Sequence, residues 1–208
     1  IRIFRHLHPR VLSERRVSRT DIFDALFGDN QEALVIAHNA YNACYRRHCG
    51  AVYPFQDGVY DYLRYLQRRG IRMGVVTNRS REFFNGELAL IDNGRWAELF
   101  DVTLCGDEAR RYKPSPDGLD EAVAALGRRA AARVWYVGDT VSDMVTARSA
   151  GVTSVFDTGG LWEPDWFEQV FAPAEQARCR PDLIVDDFDA LLDAVEESLA
   201  ATDSPPDL

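Results

Sequence analysis

The chain reads as an α/β protein built on a mainly parallel sheet with helices on both faces. Three observations predict this. From residue 57 onward, short apolar runs alternate with longer segments of helical periodicity. The runs close on small or polar residues, as in Gly74-Val75-Val76-Thr77-Asn78 and Val134-Trp135-Tyr136-Val137-Gly138-Asp139. Right-handed crossovers would then gather these strand ends, with the polar residues they carry, on one edge of the sheet.

Residues 1 to about 50 hold no convincing buried strand. Segments 21–27 and 31–48 carry apolar residues at helical spacing, including Leu34, Ala37, Tyr41, Cys44 and Tyr45, with a break at Gly28-Asp29-Asn30. Cys44, His48 and Cys49 lack an evident fourth ligand and read as a helix face. Tyr53-Pro54-Phe55 is an extended crossing. Val59, Tyr62, Leu63 and Leu66 form the apolar face of a helix ending at Gly70. The spacing next predicts a strand over 71–76, a helix over 81–93 and a strand over 100–104. Pro114 and Pro116 keep Lys113 in an extended loop before a helix over 117–126. Strand 134–137 leads through Gly138, read as a sharp exit, to a helix over 144–150. Strands follow at 152–156 and 183–185, then an amphipathic helix over 188–199 and a polar tail. Between them, 157–180 is irregular, and its Trp162, Trp166, Phe167 and Phe171 would pack on the sheet edge, cover a site or support a homodimer.

A length of 208 residues suits one sizeable core with a small accessory module. No apolar run is long enough to span a membrane, and no signal-peptide pattern opens the chain. Four cysteines without paired CxxC spacing fit a reducing cytoplasm. A net charge of −9 argues against a nucleic-acid partner, and the arginine clusters at 15–19 and 128–133 read as solvated faces.

The chemistry lies at the predicted strand ends. Thr77 and Asn78 can donate hydrogen bonds to phosphoryl oxygens, and Lys113 supplies a compact positive charge to the same group. Asp139, just past a strand, and Asp143, near the first turn of the next helix, can converge on a hard cation such as Mg²⁺. The plainer alternative is that Asp139 or Thr140 caps that helix while Asp143 meets its dipole.

This order of features resembles the haloacid dehalogenase superfamily, in particular its phosphoglycolate phosphatase-like phosphatases. Gly74-Val75-Val76-Thr77-Asn78 is similar to the family's second motif, Lys113-Pro114-Ser115-Pro116 to its third, and Gly138-Asp139-Thr140-Val141-Ser142-Asp143 to its fourth. Ala147, Ala150 and Gly151 match the small residues that follow. The resemblance implies a Rossmann-like core over 53–199, a small helical cap over 1–52 and a flexible tail over 200–208. It also implies Mg²⁺-dependent hydrolysis of a small phosphorylated metabolite. Thr77, Lys113 and Asp139 would be catalytic, Thr77, Asn78 and Lys113 would bind phosphate, and Asp139 and Asp143 would hold the metal.

One departure stands out. The family's nucleophile lies in a strand followed by Asp-x-Asp, and no such stretch exists here. Asp21-Ile22-Phe23 lies in a helical context and has Phe23 in place of the second aspartate. The expectation is a natural N-terminal segment, outside this chain, that carries the aspartyl-phosphate nucleophile. The competing expectation is a non-catalytic relative that binds a phosphorylated ligand or a protein. A metal-free dehalogenase is disfavoured by the Asp139/Asp143 pair. A receiver domain is rejected because its acidic cluster precedes its Thr and Lys.

Overall fold

The computed structural model describes residues 19–49, 58–127, 133–159, 168, 171 and 177–203. Helices α1 (Arg19–Phe27) and α2 (Gln31–His48) form an antechamber of the chain before the sheet begins. The Asn30 side chain caps α2 by accepting from the Ala33 amide. Asp21 thus lies on a helix, not at a strand end.

Helix α3 (Val59–Arg68) buries Val59, Tyr62 and Leu66, an i, i+3, i+7 stripe. Strand β1 (Gly74–Val76) pairs in parallel with β2 (Val102–Leu104). Gly74 allows this pairing, since a Cβ there would sit 2.6 Å from Val102 Cγ1. Between them, α4 (Arg81–Leu90) ends earlier than its periodicity predicts. Asp92, Asn93 and Gly94 take positive φ values, and a tighter 3₁₀ segment runs over Ile91–Leu99. That turn swings Trp96 into the core, where its indole N–H donates to Asp92 at 2.7 Å.

Helix α5 (Asp117–Ala125) precedes β3 (Trp135–Gly138), and α6 (Val141–Ala150) follows it. Strands β4 (Thr153–Asp157) and β5 (Leu183–Val185) complete a second parallel sheet in the order β3-β4-β5, and α7 (Phe188–Asp203) closes the chain's described part. Apolar clusters on both faces tie the two sheets together. On one face α5 and α6 contribute Leu119, Val123, Ala147 and Ala150, which pack with Tyr136 of β3 and Val76 of β1. On the other, Tyr62, Leu66 and Leu191 from α3 and α7 pack with Val155, Trp135 and Met73. The α/β class, parallel pairing and helices on both faces follow the sequence reading. Of the aromatic segment, only Phe171 can be placed: it is buried edge-on against Phe156. Trp162, Trp166 and Phe167 lie outside the described residues.

Candidate active site

The carboxyl ends of β1 and β3 carry the residues singled out above, and Lys113 joins them. Strand β1 turns its Met73 carbonyl and Thr77 amide toward β2, through Asp101 N–H (2.8 Å) and Leu104 C=O (3.0 Å). By strand alternation Val76 therefore presents its carbonyl to the opposite edge, toward β3. Among the described residues no backbone bond meets it there. Instead the Val76 carbonyl accepts from Lys113 Nζ at 3.3 Å and from the Tyr136 hydroxyl at 3.4 Å. Side chains thus satisfy a backbone acceptor that the interior would penalise if left alone.

Lys113 is the only lysine in the chain. Its ammonium donates to Asp143 Oδ1 at 2.7 Å, to Tyr136 Oη at 3.1 Å and to Val76 O, so all three of its protons are engaged. Its side chain is 17% exposed and that of Asp143 5%. Asn78 fixes the lysine's backbone: its side-chain oxygen accepts from Lys113 N–H at 2.8 Å, and its amide donates to Lys113 C=O at 3.1 Å. The Asn78 side chain thus holds the loop through its oxygen and one of its two N–H protons. Thr77 Oγ1 accepts from Arg79 N–H at 3.1 Å, which leaves its hydroxyl proton available at the strand end.

Asp143 occupies the third position of α6, because that helix begins at Val141 and not at Met144. Thr140 and Asp143 form a capping box: the Thr140 N–H and hydroxyl both donate to Asp143 Oδ2 (3.1 and 2.6 Å), and Asp143 N–H donates back to Thr140 Oγ1. Tyr136 adds a bond to Oδ1 at 3.2 Å. The capping and ligand readings of Asp143 thus meet in one residue, with both oxygens bonded by protein groups. Gly138 serves this arrangement by its missing side chain, not by unusual backbone angles. A Cβ at 138 would fall 2.4 Å from Asp143 Cβ.

Asp139 lies at the solvent edge, and no other described residue donates to its carboxylate. The protein around it and the nearby Asp143 charge raise its proton affinity, with Asp157 adding to the effect. Burial, reinforced by Asp143, likewise pushes the Tyr136 phenol up, so its hydroxyl stays a donor. A carboxylate beside that of Asp143 and short of donors suits a hard cation. Among the described residues no group of three or more potential ligands converges, so Asp139 and Asp143 would need oxygen ligands from elsewhere.

The first helices meet this edge through α4. Arg46 makes a two-pronged ion pair with Glu82 (2.9 and 3.1 Å), while Tyr45 and Arg79 both bond Glu87. Arg79 follows Thr77 and Asn78 directly, so α2 touches the loop that carries them. Sequence reasoning named Thr140 as a helix cap, as it proves to be, but missed Tyr136 and Arg79. Only Tyr136 left a signal there, as a hydroxyl inside an otherwise apolar buried run.

Comparisons with known proteins agree with this geometry. The haloacid dehalogenase-like hydrolase family model matches residues 11–156. The chain is 30% identical over 165 residues to the pyrophosphatase PpaX of Halalkalibacterium halodurans, covering 79% of this chain and 73% of that one. It is 30% identical over 176 residues to a phosphoglycolate phosphatase of Pseudomonas putida, covering 85% of this chain but only 57% of that protein. The fold matches a crystal structure from Bacteroides fragilis described as a haloacid dehalogenase-like hydrolase, at a TM-score of 0.66 and 23% identity, covering 90% and 89% of the two chains. With its three motif segments gathered on one sheet edge, the chain belongs to the haloacid dehalogenase-like hydrolases.

Proposed function

We propose that this chain forms the phosphate- and metal-binding part of a phosphatase that hydrolyses a small phosphate monoester through an aspartyl-phosphate. The observation that carries the reading is the partly buried ammonium of Lys113, anchored by Asp143 beside the free hydroxyl of Thr77. The names of the relatives, a pyrophosphatase and a phosphoglycolate phosphatase, support phosphoryl hydrolysis on a small molecule, and the second supports a monoester.

In this reading Thr77 Oγ1 donates to one phosphoryl oxygen and Lys113 neutralises another. Asn78 keeps the lysine's backbone in place, and Asp143 keeps its head from drifting into solvent. Asp139 would hold Mg²⁺, with Asp143 joining only by giving up one of its present partners. When bound, the cation would offset phosphoryl charge and align nucleophile and target. The nucleophilic aspartate would come from outside the described residues, on a strand seated between the facing edges of β1 and β3. The cap over 1–52 would shape the pocket through Arg46 and through Tyr45, which bonds Arg79 on the loop that carries Thr77 and Asn78.

The test is phosphate release by the full-length protein from a panel of small phosphate esters, with Mg²⁺ and again with excess chelator. Turnover that chelation abolishes is expected. No release from any ester, together with tight retention of one, would favour a binding protein instead.

A further inference from the structure

Three arginines around the carboxyl edge of the sheet use one edge of the guanidinium in the same way. Arg46 grips Glu82, Arg81 grips Glu108 and Arg111 grips Asp117, each holding both carboxylate oxygens with Nε and Nη2. Arg79 departs from this pattern. Only its Nη1 is engaged, donating to Tyr45 Oη at 2.6 Å and to Glu87, whose carboxylate also accepts from the Tyr45 hydroxyl. Its Nε and Nη2 donate to no described residue, and its side chain is 40% exposed. The fork that the other three close on a carboxylate is open here.

The position of that fork is fixed from both ends. The Arg79 N–H donates to Thr77 Oγ1 at 3.1 Å, and the Arg79 carbonyl accepts from Gly106 N–H at 2.9 Å. The backbone therefore cannot slide relative to the Thr77 hydroxyl. Gly106 permits this approach, since a Cβ there would stand 2.5 Å from Asn78 O. At the far end the guanidinium lies 5.1 Å from the centroid of the Tyr45 ring, which itself meets Phe83 of α4 edge-on. Arg79 thus spans from the loop of Thr77 to α2, one side-chain length from the hydroxyl assigned to phosphate.

In an in-line displacement the leaving oxygen departs opposite the nucleophile. With the nucleophile on a strand of the sheet, the leaving group points away from the sheet, into the space where the loop bearing Arg79 meets α2. A free Nε–Nη2 edge offers two parallel N–H groups there, the geometry that takes two oxygens of a carboxylate or a phosphoryl group. We propose that Arg79 is a specificity-determining residue whose Nε–Nη2 fork binds a second anionic group, carboxylate or phosphoryl, on the leaving group of the ester. Tyr45 and Glu87 hold the guanidinium for that contact through Nη1. The proposal rests on the phosphatase reading given above and narrows its substrate class.

The test compares carboxyalkyl phosphates, alkanediol bisphosphates and plain alkyl phosphates of matched chain lengths as substrates of the full-length protein. The wild type should favour at least one anionic series over the plain one by roughly tenfold to a hundredfold in kcat/KM, the range of hydrogen bonds to charged groups. Which series gains tells carboxylate from phosphoryl. Arg79→Met should bring the ratio close to one. Arg79→Lys should recover only part of it, because an ammonium keeps the charge but loses the fork. Removing the guanidinium leaves Glu87 without its cation, so the double variant Arg79→Met, Glu87→Gln is measured as well and should show the same collapse. A wild type that treats the three series alike would overturn the role of Arg79 and leave the phosphatase reading standing. So would a ratio that survives in both Met variants, or an Arg79→Lys protein as selective as the wild type. A wild type that releases phosphate from none of the esters would overturn the functional reading, and this one with it.

Discussion

Lys113 Nζ stands 2.7 Å from Asp143 Oδ1, an ion pair between the chain's single lysine and a carboxylate held at the start of α6. The partners come from different halves of the sheet edge, so the pair is structural as well as chemical. Asp143→Ala would strand the lysine and also remove the capping box. A loss of about 3–5 kcal/mol is expected, as for other broken buried pairs. Urea denaturation measures it, and a loss below 1 kcal/mol would contradict the burial described here. Lys113→Arg should not restore function, because a planar guanidinium cannot reproduce three donor directions from one nitrogen.

Gly138→Ala tests whether the strand end is built around Asp143. The added methyl would meet Asp143 Cβ and Cγ at 2.4 and 2.5 Å. Overpacking of this kind costs about 1–3 kcal/mol. The strain should fall on Asp143, so phosphate release is expected to drop more steeply than thermal stability. An active, fully stable Gly138→Ala protein would show that the helix start can shift without harm.

Tyr62 presents the opposite case. Its hydroxyl is buried with no hydrogen-bond partner among the described residues, and burial pushes its phenol up to about 12. Its ring packs edge-on against Phe188. Tyr62→Phe keeps the ring and removes the orphan, so stability should rise by up to about 1–3 kcal/mol. A lower melting temperature would reveal a bond to the hydroxyl.

Acid should weaken the start of α5. Arg111 bonds both oxygens of Asp117 at 2.8 Å, and this side-chain pairing lowers the carboxyl from 3.8 to about 2. A depressed carboxyl pKa contributes stability that is present above the ordinary value and lost as pH falls through the folded one. Asp117→Asn should therefore flatten the decline of melting temperature between pH 3.8 and about 2. An unchanged slope would mean that the pair does not persist in solution.

Much of this architecture could be read from the chain, since the alternation of apolar runs with helical stripes reports directly on what each segment buries. Strands 102–104 and 135–138 lie within two residues of expectation, while the strand expected over 71–76 starts three residues late, at Gly74. The helix expected over 81–93 failed at its end because left-handed turns at Asp92 and Asn93 leave no periodic trace. At the site, Thr77, Lys113 and Asp143 could be named from residue type and order. Their division of labour could not. That Asn78 clamps a backbone, or that Tyr136 reaches across to Val76, depends on pairs far apart in sequence that only packing brings together.

The seam between β1 and β3 also has a mechanical consequence. Among the described residues the two half-sheets are stitched there by an ammonium and a phenol and not by peptide groups. Side-chain stitches can be undone one at a time, so the alignment of Thr77 with Asp139 is set by rotamers and not locked by a ladder. Any occupant that touches both strand ends would act as a cross-brace, stiffening two flanks that among the described residues are tethered there by side chains alone.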